Sequence, residues 1–171
     1  MKRIVCLITG ILLCFTFFAC SNATEDIQVP VAYYYQTADF DYQNPTGIIV
    51  SETHESFGHE NDYFYLTEQY LNGPSTADCI SPFPTGTHLE QLTILDDRIM
   101  VILSTDFATL SGHDLTIACS CFAKTLIEMT GLDTVTISAK DALLDGTPSI
   151  TMTKNDFLLT DSNEYIPNDS R

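Results

Sequence analysis

The chain has 171 residues, enough for one compact domain with tails. Its 23 acidic residues against 7 basic ones give a formal net charge of −16. Nucleic acid and anionic headgroups repel such a surface, which excludes a nucleic-acid-binding role.

At the N-terminus, Lys2 and Arg3 precede an apolar or small run from Ile4 to Ala19, and Cys20 then opens the polar stretch "CSNATED". A basic start, a brief apolar core and small residues at the exit predict a secretory signal over residues 1–19. The run is short for a permanent membrane span. "FFAC" is similar to a bacterial lipobox, with Ala19 ahead of Cys20 as the lipidated residue. Phe17 and Phe18 depart from the Leu and smaller residue usual there. A diacyl anchor supplies two chains, enough for stable attachment on the extracytoplasmic face of the cell membrane. The alternative is ordinary cleavage after Ala23, which releases a secreted protein. Residues 20–30 then form the lipidated N-terminus and tether. Of the 6 cysteines, Cys6 and Cys14 fall in the signal and Cys20 is the anchor, leaving Cys79, Cys119 and Cys121 in the domain. An odd number forbids complete internal pairing, and a bridge from Cys79 to a helical cysteine stays open.

"VPVAYYYQ" predicts a first strand around Val31 to Gln36, since aromatic residues favour strands. After the turn-rich "ADFDYQNPTG", a second strand runs from Ile48 to Thr53, and the two form an antiparallel hairpin. Glu60 to Leu71 reads as a helix, with Tyr63, Leu66 and Tyr70 on one face and acids in its first turn. Gly73-Pro74 stops it: glycine takes the left-handed cap and proline forbids continuation. "THLEQLTILDDRIMVILS" is a second hairpin turning at Asp96-Asp97. Ile99, Val101 and Leu103 share one face of the return strand while Met100 and Ile102 take the other, so the strand is expected to be central. Leu115 to Thr130 is the longest helix, with Ser111 as its cap and Gly131 as its end. "DTVTISAK" is another strand, with Val135 and Ile137 inward. Gly146 to Leu159 is expected to add a hairpin around Lys154-Asn155, and residues 161–171 read as a disordered tail. The predicted order is ββαββαβ: an α+β sandwich, with two helices packed on one face of a mostly antiparallel sheet.

These residues carry a family resemblance. The helix ends in Leu71-Asn72-Gly73-Pro74, and a loop with Ser-Pro-x-Pro-x-Gly-Thr follows at Ser81 to Thr87. An apolar hairpin then ends at Leu103-Ser104, and the second helix carries Thr125-Leu126 and Gly131-Leu132 before a strand. In that order and spacing they resemble the GerMN domain family of sporulation and spore-germination lipoproteins. The resemblance spans residues 31–141, with 142–160 as a C-terminal extension. Asp97 stands where the family usually has a turn glycine, and Ile102 where it usually has an acid. The resemblance implies a fold similar to ring-building modules and a non-enzymatic Gram-positive-type envelope protein. Its implied role is a protein–protein scaffold with an envelope or membrane protein partner and possible self-association. It implies no cofactor and no catalytic residue.

Chemical alternatives are weighed on their own residues. "ETHESFGHEND" gathers Glu52, His54, His59, Glu60 and Asp62, ligand types that a loop could bring to a metal; His54, His59 and Glu60 are the candidates. The histidine spacing is not a helical ligand pair and no third histidine is near, so a solvated polar loop is the expected reading, and a metal- or small-ligand-binding lipoprotein is the alternative. Cys119 and Cys121 lie two apart on a helix, about 200° around its axis, so they cannot share a ligand. Ser104, Asp106 and His113 are triad-type residues without a Gly-x-Ser-x-Gly elbow. Cys79 with His54, His59 or His88 is the thiol version, and a hydrolase of either kind is the less favoured reading.

Overall fold

The computed structural model describes residues 29–39, 47–56 and 58–156. The expected signal, the Cys20 anchor with most of its tether, the Ala23 cleavage point, the far arm of the expected Lys154-Asn155 hairpin and the tail at 161–171 lie outside the described residues.

In chain order the elements are β1 (Pro30–Thr37), β2 (Ile49–Glu55), α1 (Tyr63–Leu71), β3 (Cys79–Ile80), β4 (Leu89–Ile94), β5 (Ile99–Leu103), a 3₁₀ turn (Thr105–Thr109), α2 (Gly112–Thr130), β6 (Thr134–Ala139) and β7 (Ile150–Thr153). The fold is α+β, as expected. The strands, however, divide into a three-stranded sheet ordered β2-β1-β3 and a four-stranded sheet ordered β4-β5-β6-β7. The first is antiparallel throughout, with Tyr34 opposite Ser51. In the second, β5 pairs with β6 in parallel, Val101 opposite Ile137. Between them α2 carries the chain back to the end at which β5 began, as a parallel pairing requires. That pairing makes β5 the central strand its sequence predicts.

One core joins both sheets and both helices. The inner face of the larger sheet is aliphatic: Ile99, Val101, Leu103, Val135 and Ile137 are all buried. In α2, Leu115, Ala118, Phe122 and Leu126 meet it at helical spacing. The smaller sheet contributes tyrosines instead. Tyr33 donates to the Leu66 carbonyl, Tyr35 to the Tyr70 carbonyl, and Tyr70 to the Tyr34 carbonyl. Each hydroxyl taken out of water thus has an acceptor, without which burial would cost about 1–3 kcal/mol. Burial, with Tyr65 nearby, pushes the Tyr33 phenol up to about 12.

The helix ends correct the sequence reading in two places. α1 begins at Tyr63, so its acids precede the first turn; Asp62 is the cap, accepting from the Tyr65 amide at 3.0 Å. Ser111 occupies the cap position of α2 but makes no capping bond. The Gly112 amide is instead held at 2.7 Å by the carboxylate of Asp145, from the loop that follows β6. Gly73 (φ +96°) and Gly131 (φ +73°) end the helices in the left-handed conformation expected of them. The sheet also continues past residue 141: Leu144 is fully buried, and β7 pairs with β6.

Candidate interaction surface

The loop from Pro74 to Asp78 is held from below by one buried carboxylate. Glu52 sits opposite Tyr33 in the β1–β2 ladder and faces the core. It accepts from the Ser75 amide at 3.1 Å, from the Ser75 hydroxyl, and from the Thr76 hydroxyl at 3.4 Å. The His54 ring lies on its other side, Nε2 at 3.2 Å from Oε1, and tilts against Tyr33. Burial alone would raise the Glu52 pKa. The Ser75 hydroxyl and amide, the His54 ring and the Thr76 amide together outweigh burial and hold it below the usual carboxylate value.

His54 is thereby engaged with Glu52, whereas His59 stacks on Tyr65 and lies 3.7 Å from Asp62. Glu60 accepts from the Ser56 hydroxyl at 2.8 Å. Among the described residues no group of three or more His, Cys, Asp or Glu is placed to hold a metal.

The thiols and the triad-type residues have structural surroundings. Cys79 is buried in β3 opposite Thr37. Cys119 lies in the main core and Cys121 in a separate cluster with Ile49 and Ile117, as their helical offset predicts. All three are free thiols. Burial pushes Cys119 up to about 12, away from the thiolate a nucleophile needs. Lys124 reaches over the Tyr34 ring, its Nζ 4.9 Å from the centroid. Ser104 is buried; its hydroxyl receives the His88 amide at 3.2 Å and reaches the Gly86 carbonyl at 3.3 Å and Asp106 at 3.4 Å. It fastens the loop entering β4. Gly86 has φ +94°, and a Cβ there would meet the Asp106 carboxylate at 3.2 Å. His113 belongs to the first turn of α2.

What remains unexplained by packing is the outer face of the larger sheet. Strand alternation turns Gln91, Ile102 and Ser138 outward in one row. Thr93, Met100, Thr136 and Thr151 form the next, and Thr134 and Thr153 a third. Met100, at its centre, is 44% exposed. None of these positions carries a charge, on a chain of net charge −16. Ion pairs stand at both ends of the face: Glu90–Lys140 at one, Asp97–Arg98 and Asp133–Lys154 at the other. Exposed pairs of this kind add little to stability, because water and salt screen them. They place paired, mutually neutralised charges at the rim of an uncharged patch. The sequence shows Met100 and Ile102 as a second apolar face and from it a central strand, without telling whether that face meets water. The Thr-x-Thr spacing at 134–136 and 151–153 was the signal that this side meets water.

The first GerMN domain of the sporulation protein GerM from Bacillus subtilis superposes on this architecture with a TM-score of 0.53. The match covers 75% of this chain and 99% of that one at 18% identity. The fold is that of a GerMN domain. The tandem GerMN domains of the same Bacillus subtilis protein give a TM-score of 0.52 at 16% identity, covering 72% of this chain and 43% of theirs. A Clostridium perfringens protein provisionally described as a lipoprotein has 21% identity, covering 75% of this chain and 89% of its own, with a TM-score of 0.48. No protein-family model matches the chain, and no curated protein matches it in sequence. The GerMN likeness thus rests on backbone architecture, in agreement with the motif order read from the sequence.

Proposed function

We propose that this chain is a non-enzymatic, exported GerMN-fold module that acts by protein–protein contact, with the outer face of the four-stranded sheet as its contact surface. The uncharged β4-β5-β6-β7 face, rimmed by paired charges on an otherwise acidic chain, carries this reading. The GerMN fold supports it, because the chain shares that fold with domains of a sporulation protein. In this scheme the Cys20 anchor holds the domain on the extracytoplasmic face of the membrane, and the sheet docks an envelope protein as a scaffold. The polar groups first considered for catalysis or metal binding serve inside the fold: Glu52 with His54 holds a loop, and Ser104 holds another.

A photo-crosslinking residue at position 100, in growing and in sporulating cells, tests the reading, with the same residue at Ser51 as control. A discrete protein adduct from position 100, absent from position 51, is the expected outcome. Equal labelling from both, or none from position 100, would sink the proposal. Incorporation of a lipid analogue, lost in Cys20→Ala, tests the anchor separately.

A further inference from the structure

A second surface lies on the other sheet, along the part of the β1 edge that β3 does not reach. The Thr37 amide donates to Ile48 on the β2 side, and the Ala38 amide to Asp78 on the β3 side. Even-numbered residues of β1 therefore present their N–H and C=O groups away from β2. At that edge β3 takes only Gln36 and Thr37. Tyr34 is satisfied by side chains, its amide donating to Thr125 at 2.9 Å and its carbonyl accepting from Tyr70. One step further, at Ala32, no strand among the described residues pairs the edge.

A cleft of about 360 Å³ opens there. Its apolar lining includes Val29, Ala32, Leu66 and Met129, and the two charged residues among its described lining are both acidic. Glu60 comes from the turn before α1 and Glu128 from the last turns of α2. Each carboxylate already accepts one hydroxyl, Glu60 from Ser56 and Glu128 from Tyr34, and each retains acceptor capacity. Among the described residues that line the cleft none is basic.

We propose that this cleft binds an extended basic peptide segment of another protein, pairing with the β1 edge at Ala32, placing an apolar side chain against Leu66 and Met129, and setting Lys or Arg against Glu60 and Glu128. Charge selects this occupant over two others. A second copy of the chain brings a net charge of −16, and the segment preceding Val29 brings Glu25 and Asp26, so both meet like charge. Edge pairing supplies affinity through the backbone while alternate side chains supply selectivity. This surface is separate from the outer sheet face, and neither proposal depends on the other.

Fluorescence anisotropy on the full chain in nonionic detergent, with a dye-labelled Val-Lys-Val-Lys-Val peptide, provides the test. Binding that weakens as salt rises is expected. The Val-Glu-Val-Glu-Val peptide should not bind, and N-methylation of the lysine peptide's central amide should abolish binding. E60Q with E128Q should weaken the lysine peptide roughly fivefold or more, because both partners of the basic side chains lose their charge. Met100→Glu should leave this binding unchanged, which separates it from the sheet face. Equal binding of the lysine and glutamate peptides, or no binding of either, overturns the charge selection. Undiminished binding of the N-methylated peptide overturns the strand pairing. The peptide arms decide the matter even if the double variant fails to fold.

Discussion

The two sheets meet in one core but are held by different physics. The four-stranded sheet closes on branched aliphatic side chains, whose contribution scales with the apolar area they remove from water. The three-stranded sheet closes on Tyr33, Tyr35 and Tyr70 and on the Glu52 carboxylate, and each buried polar group is stabilising only while its partner is present. One half therefore tolerates a change of shape better than a change of polarity. In the other half a single lost hydrogen bond strands a carbonyl or a carboxylate. The difference extends to the surface. The aliphatic sheet presents a covered-looking face, whereas the tyrosine sheet presents a loop held by a carboxylate and an open edge.

The largest expected effect comes where the halves join. Phe122 packs edge-on against Phe83 and tilts against Tyr70, so Phe122→Ala opens a cavity between both sheets. A loss of about 3–5 kcal/mol in denaturant unfolding is expected, with a single transition. Two transitions would show that the sheets unfold independently. Glu52→Gln comes next, at about 1–3 kcal/mol, because it weakens the hold on the 74–78 loop. It also tests the pH behaviour. The folded carboxyl lies below its unfolded value, so its stabilisation is complete above the unfolded carboxylate range and is lost as pH falls through the folded pKa. Wild type should lose stability relative to Glu52→Gln as acid is added through that window. Parallel pH curves would show that Glu52 is not the acid-sensitive latch.

Tyr70→Phe keeps the ring but removes the donor to the Tyr34 carbonyl, so about 1–2 kcal/mol should be lost. A neutral result would erase the contrast between the halves, since it would make the tyrosines as apolar in effect as the aliphatic sheet. Met100→Glu is expected to change stability least, within about 0.5 kcal/mol, because the side chain faces solvent. With the crosslinking residue moved to Thr136, which lies opposite Met100, the added charge should nevertheless remove the adduct. Retention of that adduct would argue against the uncharged face as the contact surface.

Much of this architecture is legible in the residues, and the illegible parts share a cause. Gly73-Pro74, Gly131, the β1–β2 hairpin and the central place of β5 follow from local chemistry and alternation. The division into two sheets does not, because nothing local distinguishes a strand that joins its neighbour from one that joins a strand across a helix. The parallel β5–β6 pairing was latent in the strand–helix–strand order. The partners of Glu52 and the cap of α2 are long-range: Ser75 lies 23 residues from Glu52, and Asp145 lies 33 from Gly112. Glu52 therefore read as one acid among several near two histidines, although its register opposite Tyr33 turns it toward the core. Of the surfaces, the apolar character of Met100 and Ile102 was visible and their exposure was not. The cleft beside Ala32 draws on β1, α1 and α2, and no segment contains it.

The crossover through α2 also sets an order on assembly. Synthesis delivers the chain N-terminus first, so β4 and β5 are available well before β6, which arrives only after the whole of α2. Until then one edge of a strongly apolar strand, Ile99 to Leu103, lacks its neighbour. Closing that edge is a non-local event that must first meet the entropy of a long loop, and it is the step at which a half-made molecule is open to wrong pairing. A preformed α2, with apolar residues already aligned along one side, shortens this interval by giving the arriving β6 a surface to settle against.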